Sequence, residues 1–244
     1  MGASWLHRAA ARRRRDAVVK RADTADLAGS TAVGALVAFV LLSLTVTGRS
    51  GAPLVGDKDL LDWSVAHRPP AAVTVARALT YTGTGFVPYV LAALAGLLMG
   101  RTVRQRVLTT AACLACLAVG EAVRYGVMSL TARPRPATRY WVTHASGWSF
   151  PSGHTTTAAI TAGLLTLAIL ARAPRGAAAL RAVVLGWGVL VGLTRVYLGV
   201  HWFSDVLGGW LFTLCWLSLC VYVAARLAPH MDAWRSRSAR SPTP

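Results

Sequence analysis

From Leu27 to Gly48 the chain runs 22 residues without a charged side chain, and about 20 apolar residues are what a helix needs to cross the hydrocarbon of a bilayer. Inside lipid no water is available to the backbone, so a spanning segment must satisfy its own N–H and C=O groups, and a helix does this locally. Similar stretches recur between charged or proline-rich breaks, and together they predict helices over 27–48, 78–100, 107–130, 151–171, 177–197 and 205–226. The expected fold is all-α: a polytopic integral membrane protein with six transmembrane helices. Composition agrees, with 55% hydrophobic and only 14% charged residues, where a soluble domain carries about 25% charged residues.

The breaks divide the chain into a basic cytoplasmic N-terminal tail (1–26), a six-helix membrane domain (27–227) and a basic, disordered cytoplasmic C-terminal tail (228–244). The first 26 residues have no apolar core, so the first apolar segment reads as a retained helix. Ser50 to Arg77 reads as a polar connection. Within it, Asp57 to His67 predicts a short interfacial helix, Pro69-Pro70 a break, and Gly83 and Gly85 the entry to helix 2.

The net charge of +17 invites a nucleic-acid reading, and its distribution argues against one. Seven basic residues fall within the first 21 positions, and others cluster at Arg101/Arg104/Arg106, Arg172/Arg175/Arg181 and Arg226/Arg235/Arg237/Arg240. These lie at the edges of apolar segments, as expected for cytoplasmic loops. Both termini are therefore expected on the cytoplasmic side of the cell membrane. Helices 3 and 5 then end, and helices 4 and 6 begin, on the extracytoplasmic face. That places residues 133–136, 151–154 and 195–205 together at the outer ends of helices 3–6.

These three segments hold the chemistry. Arg133-Pro134-Arg135-Pro136 offers two guanidinium forks suited to phosphate oxygens. In Ser149-Phe150-Pro151-Ser152-Gly153-His154, Pro151 suits a first helical position, and the amides after it would face an anion at a helix start. Ser152 adds a hydroxyl donor, Gly153 allows close approach, and His154 is placed to protonate a departing oxygen. In Thr194-Arg195-x5-His201-x3-Asp205, His201 is the candidate nucleophile, Asp205 holds its other ring nitrogen, and Arg195 clamps a phosphate oxygen. A metal reading of His-x3-Asp lacks further ligands on this face, and the arginines would repel a cation; neither metal nor cofactor is expected. Glu121 and Arg124, three apart in helix 3, read as a neutralised intramembrane pair, with a substrate-facing Arg124 as the alternative.

On these residues the sequence resembles the type 2 phosphatidic acid phosphatase family, which shares its site with vanadium haloperoxidases and bacterial acid phosphatases. The family's second block matches at Pro151-Ser152-Gly153-His154, and its third, Ser-Arg-x5-His-x3-Asp, at Thr194-Arg195-x5-His201-x3-Asp205, with Thr for Ser. Its first block, Lys-x6-Arg-Pro, aligned on Arg135-Pro136, puts Met128 where the family has lysine. The resemblance implies metal-independent hydrolysis of a lipid phosphate or pyrophosphate. In it, His201 becomes a phosphohistidine supported by Asp205. His154 protonates the leaving group and then activates water. Arg135, Arg195, Ser152 and the Gly153 amide bind the phosphate, with Arg133 as a further electrostatic helper. Expected substrates are polyprenyl pyrophosphate, phosphatidic acid or phosphatidylglycerol phosphate; the partners are that lipid and the bilayer, and no nucleic acid. Two alternatives stay open: a lipid phosphotransferase, and a catalytically weak anion-binding or scaffold protein. The pairing of His154 and His201 with Asp205 argues against the second, since binding alone needs no nucleophile.

Overall fold

The computed structural model describes the backbone of residues 3–173 and 176–238, with side chains described for Val19, for 21–173 and for 176–227. Its elements are α1 (Ala3–Gly48), α2 (Asp57–Ala66), α3 (Pro70–Tyr81), α4 (Phe86–Met99), α5 (Val103–Thr131), α6 (Gly153–Arg172), α7 (Ala178–Tyr197) and α8 (Phe203–Ser238), with one 3₁₀ turn at Thr138–Tyr140. Among the described residues there is no strand.

Five of these helices carry a stretch long and apolar enough to cross a bilayer, within Arg21–Gly48, Val103–Thr131, Gly153–Arg172, Ala178–Tyr197 and Phe203–Leu227. α3 and α4, bent by 53° at the break between them, make a sixth if the pair is counted as one span. The entry expected for helix 2 at Gly83 and Gly85 is where α4 starts, with Gly85 as its N-cap; what differs is that residues 78–81 belong to α3, which also takes up much of the polar connection. Pro70 does not interrupt a helix; it opens one from the N1 position, where its missing N–H costs nothing. The helix expected from Asp57 to His67 is present as α2. α5 starts at Val103, four residues before its expected start, because Thr102 and Gln105 form a reciprocal capping box.

α1 reaches back to Ala3 and α8 runs on to Ser238; residues 239–244 lie outside the described residues. Extending an existing helix requires no new nucleation, and the alanines and arginines in these segments are good helix formers.

By their contacts the residues fall into two units, Met1–Ala35 with Leu214–Pro244, and Leu36–Thr213. In the first, Arg226 pairs with Asp26 at 3.0 Å and lies over the Tyr222 ring. The second contains every candidate site residue. Within it α6 is central: half of its span is buried, against 17% for α5. It packs on α4, α5 and α7 through a small, polar-flanked surface that includes Thr155, Thr156, Ala158, Thr161 and Ala162. The threonine hydroxyls at 156, 157 and 161 bond carbonyls four residues back in their own helix, so they cost little to bury. Small residues let backbones approach where lipid provides no hydrophobic drive for association. At Gly192 of α7 a β-carbon would lie 3.1 Å from Thr155 of α6 and from Val206 and Trp210 of α8.

Candidate active site

The C-terminal ends of α5 and α7 and the N-terminal ends of α6 and α8 meet at one end of the second unit. There they enclose a cavity of about 370 Å³. Arg124, Arg135, His154, Arg195 and His201 all line it, with Glu121 as an acid among them.

Each catalytic candidate is placed by its local backbone. α7 stops at Tyr197, and the chain turns back on itself: the amides of Val200 and His201 both donate to the Arg195 carbonyl, at 3.2 and 3.3 Å. Gly199 makes the turn with φ +76°, and a β-carbon there would sit 2.2 Å from the Tyr140 carbonyl oxygen; only glycine satisfies both demands. α8 then begins, and Asp205 in its first turn accepts the Trp202 amide at 2.9 Å. This is the helix-start bond that an acidic side chain readily makes. The same Oδ2 lies 3.3 Å from His201 Nδ1.

The other ring nitrogen, Nε2, lies 2.7 Å from Arg135 Nη1. A guanidinium only donates, so Nε2 is the acceptor there and the ring proton sits on Nδ1, directed at Asp205. The ring is therefore oriented with a lone pair at the arginine-lined cavity and its N–H on a buried carboxylate. Burial, reinforced by Arg135 and Arg195, holds the His201 imidazole well below its ordinary pKa. The protonated ring is the form that cannot attack, and it is the form burial disfavours. Lowering the pH from 8 to 5.5 should thus leave His201 neutral. This is checked by NMR of ¹³C-histidine-labelled protein with the His201 signal assigned by its loss in His201→Ala; a His201 midpoint at 6.5 or above would contradict the geometry.

Arg135 has no idle donor. Nε bonds the Gly147 carbonyl, Nη2 the carbonyls of Ser146 and Trp148, and Nη1 the Val200 carbonyl and His201. A phosphate reaching Nε2 must take over the donor that now rests on the ring. Arg195, 2% exposed, donates to Thr80 Oγ1 at 3.0 Å, and its Nε is buried without a partner among the described residues. His154 is the second residue of α6, and Gly153 the first. The opening amides of that helix have no carbonyl a turn earlier to accept them and face where an anion is favoured.

Two of the residues expected to bind phosphate lie away from the cavity lining. Arg133 is fully buried and does not line the cavity. Its Nη1 donates to Asp205 Oδ1 at 2.5 Å and to Ser204 Oγ at 2.7 Å. Its Nη2 donates to Asp57 Oδ2 at 2.8 Å and to the Ala52 carbonyl, and its Nε donates to the Gly51 carbonyl. With all five donors used, nothing remains for a phosphate. Ser152 is likewise fully buried and away from the cavity lining. Its amide donates to the Asp205 carbonyl and its hydroxyl accepts from Thr155. Ser152 is the N-cap of α6, with the helix starting at Gly153 and not at Pro151. Thr194, standing where the related motif has serine, is buried and donates to its own helix at Val191.

The sequence reading also missed Asp57. It is 1% exposed, pairs with Arg133, and accepts both the amide and the hydroxyl of Ser204, at 2.8 and 2.6 Å. Arg133 is thus held between two buried carboxylates, one of which orients His201. The expected Glu121–Arg124 pair does not form either. Glu121 takes hydroxyls from Tyr89 at 2.5 Å and Thr157 at 2.9 Å, while Arg124 Nη1 lies 3.2 Å from the Met128 sulfur.

The chain is similar to known proteins in part of its sequence and in its fold. A family model described as the PAP2 superfamily matches residues 110–228. A Bacillus subtilis protein named phosphatidylglycerophosphatase B is 42% identical over 69 residues, which is 27% of this chain and 34% of that protein. The matched stretch therefore spans only about a third of the relative's length. In fold, the chain resembles the crystal structure titled the first transmembrane PAP2 type phosphatidylglycerolphosphate phosphatase from Bacillus subtilis. The TM-score is 0.63 and the identity 23%, over 82% of this chain and 96% of that one.

Proposed function

We propose that the chain, of which residues 110–228 match the PAP2 superfamily, is a member of that superfamily: a membrane lipid phosphate phosphatase that works through a phosphohistidine without a metal ion. The observation that carries this reading is the His201 ring, its Nδ1 on Asp205 and its Nε2 beside Arg135 at the cavity. A binding site needs arginines and amides; it has no use for a buried, tautomer-fixed imidazole.

In the proposed cycle His201 Nε2 attacks phosphorus, and the P–O bond to the lipid breaks. The leaving oxygen takes a proton from His154, giving the lipid alcohol, or the lipid monophosphate when the substrate is a pyrophosphate. Asp205 stabilises the positive ring formed on attack. Neutral His154 then removes a proton from water as that water attacks the N-phosphoryl group, which returns His201 and releases inorganic phosphate. Arg195, the donor that Arg135 transfers from the ring, and the first amides of α6 hold the phosphoryl oxygens throughout.

The name of the Bacillus relative makes phosphatidylglycerol phosphate the first substrate to try, ahead of phosphatidic acid and polyprenyl pyrophosphate. The basic clusters support an orientation with both tails (1–26 and 228–244) in the cytoplasm and the catalytic end of the 27–227 domain on the outer face of the cell membrane.

The test is phosphate release by detergent-purified protein in excess EDTA, with ³²P-labelled substrate quenched at short times. Release should persist in EDTA, and the label on the protein should survive alkali and be lost in acid, as a phosphohistidine is. Turnover that stops in EDTA and returns with a divalent cation would remove the metal-free mechanism.

A further inference from the structure

We infer that Arg124 is a phosphate-binding residue of this site and supplies the cationic contact that Met128 cannot. This rests on the reading of the cavity as a phosphate site and adds a residue to it.

Three observations point the same way. First, the guanidinium faces the cavity with donors to spare. Its Nε is buried without a partner among the described residues, and Nη1 rests on a thioether sulfur at 3.2 Å, a weak acceptor that any phosphate oxygen would displace. Arg135, by contrast, has all five donors engaged.

Second, the charge of Arg124 is not consumed by the acid beside it. Glu121, three residues earlier on α5, has its carboxylate oxygens on the hydroxyls of Tyr89 and Thr157, and among the described residues it makes no ion pair with Arg124. A half-buried cation in a membrane helix whose neighbouring carboxylate acts on it only at a distance is well placed to take a further anion.

Third, the head group is where that anion would be. The guanidinium carbon and Nη1 lie 3.5 Å from the position a β-carbon on Gly153 would take. The cation thus stands against the first residue of α6, whose opening amides favour an anion. A side chain at 153 would come between the two. Met128, one turn further along α5, reaches the same spot with an uncharged sulfur. Arg124 therefore fills from one turn back the place that position 128 leaves without charge.

The experiment measures inorganic phosphate affinity by calorimetry on the detergent-solubilised full chain, beside turnover of the lipid panel. Arg124→Ala should weaken phosphate binding by roughly 10- to 100-fold and lower kcat by roughly 100-fold or more. Adding Met128→Lys to Arg124→Ala should recover at least about a tenfold part of both losses. Arg124→Gln serves if the alanine variant has a lowered melting temperature. Unchanged phosphate affinity in folded Arg124→Ala, or no recovery in the double variant, overturns the assignment. Phosphate binding is read without turnover. A wild-type protein that binds phosphate through Arg124 but hydrolyses none of the lipids would therefore sink the phosphatase reading alone.

Discussion

Replacing His201 by alanine is expected to lower turnover of any lipid phosphate by roughly 10,000-fold or more while the protein remains folded. The size follows from role: removal of a nucleophile that acts in concert with its orienting partner typically removes nearly the whole contribution of the set. The fold should survive because the ring's neighbours stay satisfied. Asp205 keeps Arg133 and the Trp202 amide, and Arg135 keeps its four carbonyls. Initial rates on purified protein, with a melting curve beside them, check both halves. Residual activity above about a hundredth of wild type would mean that water attacks phosphorus directly in a site that merely binds it. Asp205→Asn should show a smaller loss in the same direction, since an amide can present its N–H₂ to the ring proton and thereby disturb the tautomer.

The second large effect is on stability. Arg133→Ala should cost about 3–5 kcal/mol, because it leaves Asp57 and Asp205, each 1% exposed or less, as buried carboxylates without their counter-ion. The loss is read as a fall in melting temperature in detergent, accompanied by loss of turnover as Asp205 loses its anchor. The result separates two roles cleanly. A residue that clamped substrate would lose phosphate affinity and leave the unliganded protein as stable as before; a cost below about 1 kcal/mol would return Arg133 to that role. Asp57→Asn should lie between the extremes, as it keeps the acceptor oxygen while removing one of the two charges that face Arg133.

What the sequence disclosed, and what it hid, follows from how far each signal reaches along the chain. His201 and Asp205 are one helical turn apart, so their partnership is visible as spacing. His154 sits in a short run whose proline and glycine mark a helix start, and the alternation of apolar stretches and basic clusters was enough to bring the three segments to one end. Arg133 and Arg135 could both be placed at the phosphate because both lie in one Arg-Pro repeat. Their fates diverge through partners far away in the chain: Arg133 turns to Asp57 and Asp205, while Arg135 turns to the 146–148 carbonyls and His201. Asp57 was hidden for the same reason. Nothing local distinguishes it from Asp59 and Asp62, and its partners Arg133 and Ser204 lie 76 and 147 residues on. Gly83 and Gly85 marked the start of α4, but the bend before it was not legible because hydropathy is blind to direction: residues 78–100 carry no charge whether they form one rod or two pieces meeting at 53°.

The dependence of Arg133 on Asp57, and of Arg195 on Thr80, bears on how the molecule can be dissected. The stretch recognisable as a PAP2 sequence begins at residue 110, yet these two supports come from α2 and α3, upstream of it. A fragment cut at the family boundary would carry both histidines and every guanidinium of the cavity. It would also bury Arg133 with one carboxylate in place of two and leave Arg195 with no hydroxyl to rest on. The recognisable stretch therefore leaves out supports of the site: a piece that keeps them has to reach back at least to Gly51, whose carbonyl, like that of Ala52, accepts from Arg133.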